Sequence, residues 1–173
     1  MNFDLQKSIE ILERTPGTIS TMLSGLSEEW TTANEGPGTW SPYDVVAHLI
    51  HCEESDWVPR MNIILSNSTD KKFNPFDPGG HEHFTRTSLN ELLAQFGTMR
   101  AQNIEYLQSK ELTESHLQLK GIHPAFGEVT LSQLLSCWTA HDLNHISQIA
   151  RVMAKQYKEE VGPWVEYLRI LKS

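Results

Sequence analysis

Apolar residues recur at helical spacing along nearly the whole 173-residue chain, and no alternating segment is long enough to predict a sheet. The first helical stretch covers residues 5–26, and Pro16 should bend or restart it because proline clashes with the preceding turn. The second covers residues 42–65 and follows Ser41, an N-cap residue whose capping box Asp44 completes. The pattern therefore predicts two helices in the first 65 residues.

Two further capping boxes open the later helices: Ser88 with Glu91, and Thr130 with Gln133. The third helix should end near residue 108, and the fourth should be long. Between them, "GIHPAFGEV" has turn chemistry with a short extended piece, and Gly162 with Pro163 begins a short terminal helix. We therefore expect one all-α domain over residues 1–173. It is a four-helix bundle with a long crossover between helices 2 and 3 and a short C-terminal helix.

The predicted crossover, "SNSTDKKFNPFDPGGHEHFTRT" at residues 66–87, is the longest irregular segment of the chain. Loops beyond about 12 to 15 residues are uncommon in compact domains and are usually functional or disordered. This one carries Phe73, Phe76 and Phe84, which a disordered linker would not need. We expect an ordered crossover whose Phe73 and Phe76 pack on the bundle near the ends of helices 2 and 4.

Charge and composition exclude several classes of protein. The formal charge of −8, with no basic stripe to offset it, would repel a phosphate backbone and argues against binding to DNA or RNA. No stretch approaches the roughly 18 to 20 apolar residues of a membrane-spanning helix, and no signal peptide is apparent at the start. A cytoplasmic protein without membrane contact is the expectation. Eight histidines are more than usual for this length and suggest metal chemistry.

Two of these histidines lie four residues apart in "WTAHDLNHISQIARVMA" on the fourth helix. With Trp138 as the centre of the buried stripe, His145 lies about 20° and His141 about 60° from it, at 100° per residue. That spacing brings both rings within reach of one ion. The alternative is a pair of core histidines satisfied by hydrogen bonds.

A third ligand has to come from another helix, and the second helix offers "DVVAHLIHCEESDW". With Leu49 as the centre of its buried stripe, His48 flanks the stripe at about 100°, whereas His51 falls near 200° and should face solvent. His48 is therefore the better candidate. A boundary histidine hydrogen-bonded to water is the alternative.

Several segments together resemble one family: "GPGTWSPYDVVAHLIH", "FNPFD", "HPAFGEVTLSQLL", "HDLNHISQIAR" and "QYKEEVGPW". They are similar to the DinB-like superfamily, also called the YfiT-like metalloprotein family. The resemblance implies a bundle of up-down-down-up topology and a divalent metal, zinc or nickel, held by His48, His141 and His145. Three imidazoles leave a coordination position open, which is typical of catalytic rather than structural sites.

The resemblance further implies a small-molecule substrate and a function as a thiol S-transferase, using a low-molecular-weight thiol, or as a metal-dependent hydrolase. In either case the metal would lower the pKa of a bound water or thiol. Members of the family often form homodimers. A non-catalytic metal-binding stress-response bundle is the alternative function, and three core histidines without a metal are the structural alternative.

Four further polar residues could support the site. Asp142 follows a predicted ligand on the buried stripe and could orient an imidazole, because an inward carboxylate is costly unless paired. Gln148, one turn past His145, either lines the pocket or lies at its boundary. Asp56 and Arg60 form either a helix salt bridge or a site at which Arg60 presents its planar fork to a substrate carboxylate.

The remaining candidates have a plainer alternative. Cys52 and Cys137 lie one turn from His48 and His141, respectively, and are either soft metal ligands or small buried residues. Their helical setting argues against a disulfide framework. His81 and His83, on the crossover, either reach the mouth of the metal site or are solvated. We expect the tryptophans Trp40, Trp57, Trp138 and Trp164 to serve packing.

Overall fold

A computed structural model describes residues 2–84 and 87–172, apart from the side chain of His83. The α-helices are α1 (Leu5–Leu23), α2 (Glu28–Thr32), α3 (Pro42–Ser55), α4 (Trp57–Leu65), α5 (Leu89–Ser109), α6 (Glu114–Leu117) and α7 (Leu131–Lys155). A hairpin of β1 (Lys120–His123) and β2 (Gly127–Thr130) lies between α6 and α7. Short 3-10 helices cover Glu82–Phe84, Gly162–Tyr167 and Arg169–Leu171. The three predicted capping boxes are all present.

Two clusters of buried side chains give the direction of each long helix. One cluster contains the first half of α1, the end of α3, the end of α5 and the first half of α7. The other contains the end of α1, the start of α3, the start of α5 and the second half of α7. Helices α1 and α7 therefore run one way, and α3 and α5 run the other. The predicted four-helix bundle of up-down-down-up topology is confirmed.

The described part of the crossover, residues 66–84 and 87, returns along the bundle, because α3 and α5 are parallel. Phe73 is buried among residues of α4 and the start of α7, and its N–H donates to the Ile122 carbonyl at 2.9 Å. The Ile122 N–H donates to Lys71 O, also at 2.9 Å. Phe76 is partly buried against the same cluster. The predicted docking of Phe73 and Phe76 on the bundle is confirmed.

The two prolines that lie inside the predicted helices have opposite effects. Helix α1 continues through Pro16 rather than restarting there, although it ends at Leu23, earlier than predicted. Pro16 has no N–H for the Leu12 carbonyl, and Arg100 Nη1 donates to that carbonyl instead, at 2.8 Å. Pro59 likewise has no N–H for the Ser55 carbonyl, and here the helix is interrupted at the next residue, Asp56.

The break divides the predicted second helix into α3 and α4 at Asp56, whose φ of −112° and ψ of −73° depart from the ideal helical values of about −63° and −42°. The prediction of one helix over residues 42–65 is therefore wrong at this point. The predicted short terminal helix begins at Gly162 as expected, but it consists of two 3-10 helices, Gly162–Tyr167 and Arg169–Leu171. The extended piece in "GIHPAFGEV" is confirmed as the hairpin.

A buried charged network ties the four long helices together. Arg100 of α5 is 1% exposed and donates to Asp142 of α7 at 2.5 and 3.0 Å and to Glu53 of α3 at 2.7 Å. Its bond to the Leu12 carbonyl adds α1. Burial by itself would lower the pKa of Arg100. The carboxylates of Asp142 and Glu53 have the larger combined effect, so the pKa of the guanidinium is raised. This network lies in the middle of the bundle.

Candidate metal centre

Three imidazoles from two neighbouring helices converge on one point. His48 comes from α3, and His141 and His145 come from successive turns of α7, which packs beside α3. His141 Nε2 lies 3.2 Å from His48 Nε2 and 3.1 Å from His145 Nε2. His48 and His145 are each 6% exposed, and His141 is half-buried. The structure thus brings together all three predicted ligands.

The spacing of these nitrogens fits a metal ion. Metal–nitrogen bonds of about 2.0 to 2.1 Å in a tetrahedral site place neighbouring nitrogens about 3.3 Å apart. His145 Nδ1 lies 2.8 Å from Gln148 Oε1, which can only accept, so Nδ1 carries the proton and Nε2 presents its lone pair to the cluster. His141 Nδ1 is buried without a hydrogen-bond partner among the described residues. The donor set therefore suits a divalent ion.

Burial keeps the three imidazoles in the neutral form that binds a metal ion. The pKa of His48 and of His141 is lowered to about 3 each, mainly by burial and in addition by the neighbouring histidines, with Arg100 contributing for His141. The pKa of His145 is also lowered by burial, against the opposing effects of Gln148 and Asp142. Metal ligation needs neutral imidazole, so no proton has to be displaced at neutral pH.

Cys52 is a fourth potential donor at the same point. Its Sγ lies 3.4 Å from His48 Nε2 and 4.0 Å from His141 Nε2, and bond lengths at zinc predict about 3.6 Å between sulfur and nitrogen. Burial and then Asp56 raise the pKa of the thiol well above its ordinary value. His48, Cys52 and His141 thus form a second possible donor set. The three imidazoles need no deprotonation, whereas the thiol does.

Aromatic rings enclose the cluster on several sides. The Trp40 ring centre lies 4.6 Å from that of His48 and 6.2 Å from that of His145, which it stacks upon. Phe76 approaches His48 edge-on at 5.8 Å, and Trp57 approaches His141 at 5.1 Å. Packing was the expected role of Trp40, and helical periodicity could not predict its contact with the cluster, since Trp40 precedes α3 and follows no helical period. Its only sequence signal was its place in "TWSP", just before a capping box.

Of the two crossover histidines, the structure describes the side chain of His81. His81 is buried, with its ring centre 4.8 Å from that of Trp40 and 6.2 Å from that of His48. Its Nδ1 lies 3.0 Å from the Pro78 carbonyl. His81 therefore reaches the edge of the cluster rather than solvent. The side chain of His83 lies outside the described part of the structure.

His51 lies beneath the crossover instead of facing open solvent as predicted. Its Nε2 is 3.0 Å from the Asp77 carbonyl, and its ring centre is 5.0 Å from that of Phe76. A Cβ at Gly80 would lie only 2.3 Å from the ring. Helical periodicity could not predict this contact, because it depends on where the long crossover lies. Among the described hydrogen bonds, none joins His51 to the three converging imidazoles.

Gln148, rather than Asp142, is hydrogen-bonded to a predicted metal ligand. Both carboxylate oxygens of Asp142 accept from Arg100, and no described hydrogen bond joins this carboxylate to an imidazole. The prediction that Asp142 orients a ligand is therefore wrong, because a buried guanidinium is its partner. Gln148 is the residue that accepts from His145. Arg100 was missed, although it occupies the buried stripe of α5 at four-residue spacing from Phe96 and Ile104.

A cleft with a volume of about 550 Å³ opens beside His141. Arg60 and Asp56 lie in its wall, with 2.7 Å between Arg60 Nε and Asp56 Oδ1, so the predicted pairing is present. Cys137 is exposed and also lines the cleft. Burial raises the pKa of Asp56, against the opposing effect of Arg60. Of the three converging histidines, His141 is the one that lies in the wall of the cleft.

The family model of the DinB superfamily matches residues 11–149 of this chain. The chain belongs to the DinB superfamily. The resemblance noted in the sequence is confirmed. No curated protein matches the chain. Among the described residues, no helix is both long and apolar enough to cross a membrane.

Two solved structures share the fold. YfiT from Bacillus subtilis, described as "a probable metal-dependent hydrolase with an unusual four-helix bundle topology", is 17% identical with a TM-score of 0.71. The match covers 88% of this chain and 86% of YfiT. TT2238, described as a four-helix bundle protein, is 19% identical with a TM-score of 0.60, over 85% of this chain and 98% of its own. At these identities the likeness establishes the fold.

Proposed function

We propose that the protein is a metal-dependent enzyme that binds zinc or nickel at His48, His141 and His145 and attacks a small electrophilic substrate with water or a thiol. The observation that carries the proposal is the convergence of three neutral imidazoles, two buried and one half-buried, of which His141 lies in the wall of a cleft large enough for a small molecule. Membership of the DinB superfamily and the hydrolase description of YfiT support it.

A bound divalent ion supplies Lewis acidity and lowers the pKa of a water or thiol that it binds. The residues of this chain provide the setting. Gln148 holds the proton on His145 Nδ1, which fixes the tautomer and the direction of Nε2. Trp40, Trp57 and Phe76 limit bulk water around the imidazoles, while the cleft beside His141 admits the substrate.

The test begins with protein purified without an affinity tag and assayed for metal by mass spectrometry. We expect about one ion per chain, and none after reconstitution would overturn the metal site. The loaded protein is then assayed with an activated ester for attack by water, and with 1-chloro-2,4-dinitrobenzene plus a low-molecular-weight thiol for thiol transfer. Turnover that disappears on chelation and returns with metal supports the proposal. Full metal without turnover in either assay favours the non-catalytic metal-binding bundle.

A further inference from the structure

The cleft beside His141 contains a buried cation whose hydrogen-bonding capacity is largely unused. Arg60 of α4 is 8% exposed, and its guanidinium carbon lies 5.3 Å from the centre of the Phe73 ring. Asp56 faces Arg60 Nε at an angle that gives an ion pair rather than a directed hydrogen bond. No described residue accepts a hydrogen bond from either Nη nitrogen of Arg60. Phe73 and Asp56 therefore fix the guanidinium and leave its outer edge free.

The free edge of this guanidinium reaches the space of the cleft, because neither Nη nitrogen is among the fully buried side-chain atoms that lack a partner. A guanidinium stays charged throughout the accessible pH range and presents its donors in a rigid fork. The cleft wall around it is mainly apolar, with Trp57, Val129 and Leu134 among its residues. Glu128 also lines the cleft, but it is exposed and pairs with Lys120 at 2.8 Å. An incoming anion is thus the natural acceptor.

We infer that the cleft binds substrates that carry a carboxylate, which the two Nη nitrogens of Arg60 grip as a planar fork, with the rest of the molecule directed toward His141. The direction toward His141 rests on the proposed function, whereas the carboxylate grip does not. The planar fork matches a carboxylate bidentately. A doubly charged phosphate would have one cation, already paired with Asp56, to balance it, so a singly charged group fits better.

The test compares 4-phenylbutyrate with its neutral amide, 4-phenylbutanamide, by calorimetry on the zinc-loaded and metal-stripped protein. We expect the carboxylate to bind at least about tenfold tighter than the amide in both forms, since hydrogen bonds to charged groups are the strong ones. Equal affinities would overturn the inference. A preference seen only with zinc would also overturn it, because the carboxylate would then be bound by the metal. A preference for the matching phosphonate would overturn the assignment to carboxylate.

Variants of Arg60 connect the preference to this residue. Arg60→Gln should abolish it, and Arg60→Lys, which keeps a cation beside Asp56 but loses the fork, should reduce it to a few-fold. Arg14→Gln, the same change at an exposed residue of α1, is the control and should retain the full preference. If Arg60→Gln does not fold, Arg60→Lys decides the question, and an undiminished preference there would contradict the fork.

Failure of this inference and failure of the proposed function give different results. Zinc-loaded protein with metal-dependent turnover but no carboxylate preference overturns the grip of Arg60 alone. A carboxylate preference in protein that never binds metal overturns the proposed function and leaves the anion site standing.

Discussion

At the scale of single residues, the candidate centre depends on which ring nitrogen carries each proton. Gln148 sets this for His145 by accepting from Nδ1, whereas His141 Nδ1 has no described partner. Helical periodicity places Gln148 one turn from His145. It does not show that the amide oxygen of Gln148 faces the imidazole ring of His145. Periodicity also placed His48 at the edge of its stripe, and the packing of α3 against α7 turns that edge toward the cluster.

The first prediction concerns the tautomer. Gln148→Leu should weaken zinc binding by about 10- to 100-fold while all three imidazoles remain, because loss of such a supporting hydrogen bond typically has this effect. Competition with a chromogenic chelator measures the affinity. Gln102→Leu, at an exposed position of α5, is the matched control and should leave zinc affinity unchanged. Equal affinities in the two variants would show that Gln148 does not orient the ligand.

The second prediction distinguishes the two donor sets. His48→Ala, His141→Ala and His145→Ala should each lose metal, and His51→Ala should keep it because its ring bonds to the crossover. Cys52→Ala should also keep the metal, and the cobalt-substituted protein should show no thiolate charge-transfer band. Metal loss in the Cys52 variant, with retention in the His145 variant, would instead establish His48, Cys52 and His141 as ligands.

At the scale of elements, local signals predict where helices begin more reliably than where they are interrupted. Each capping box closes within four residues, so the sequence contains all of its partners. The two prolines differ in a way that no local window contains. Helix α1 tolerates Pro16 because Arg100, 88 residues from Leu12, donates to the Leu12 carbonyl. Before Pro59, in contrast, the helix is interrupted. Whether helix α1 continues through its proline therefore depends on a partner that is distant in the sequence.

The third prediction concerns the crossover as a cover of the centre. Phe76 contacts His48 and His51, whereas Phe73 is 4% exposed and belongs to the core. Phe76→Ser should therefore lower turnover while metal content and thermal midpoint stay nearly unchanged. Phe73→Ser should instead lower stability by several kcal/mol, about 3 to 5 by analogy with other truncated core aromatics. Undiminished turnover in the Phe76 variant, at full metal content, would exclude a covering role.

At the scale of the whole molecule, the Arg100 network joins all four long helices at one point, and the fourth prediction tests it. Arg100→Leu leaves Glu53 and Asp142 buried without their cation, and breaking a buried pair in this way costs about 3 to 5 kcal/mol. Chemical denaturation measures the loss. Lys7→Leu removes a cation from an exposed pair, 4.0 Å from Asp4, and should change stability by less than about 1 kcal/mol. Similar losses in both variants would mean that the network contributes no more than a surface pair.

The fifth prediction concerns how the molecule loses stability in acid. Glu35 lies in the loop that leads to Trp40 and pairs with Arg151 and Lys155 near the end of α7, at 2.8 and 2.9 Å. The hydrogen bond from Arg151 is the main cause that lowers the pKa of Glu35 from 4.5 to about 2. Because the folded value is depressed, the stabilisation is complete above the unfolded value, near pH 4.5. It is lost as pH falls toward 2.

Glu35→Gln cannot be protonated, so its thermal midpoint should fall less steeply than that of the wild type between pH 4.5 and 2. Above pH 5 the two curves should run parallel, with the variant lower. Glu166→Gln, an exposed partner of Lys172, is the matched control and should follow the wild-type slope. If the Glu35 variant and the wild type stayed parallel down to pH 2, this ion pair would not be the acid-sensitive link between the Trp40 loop and α7. Since Trp40 covers two of the converging histidines, the same acid range should also loosen the wall of the candidate metal centre.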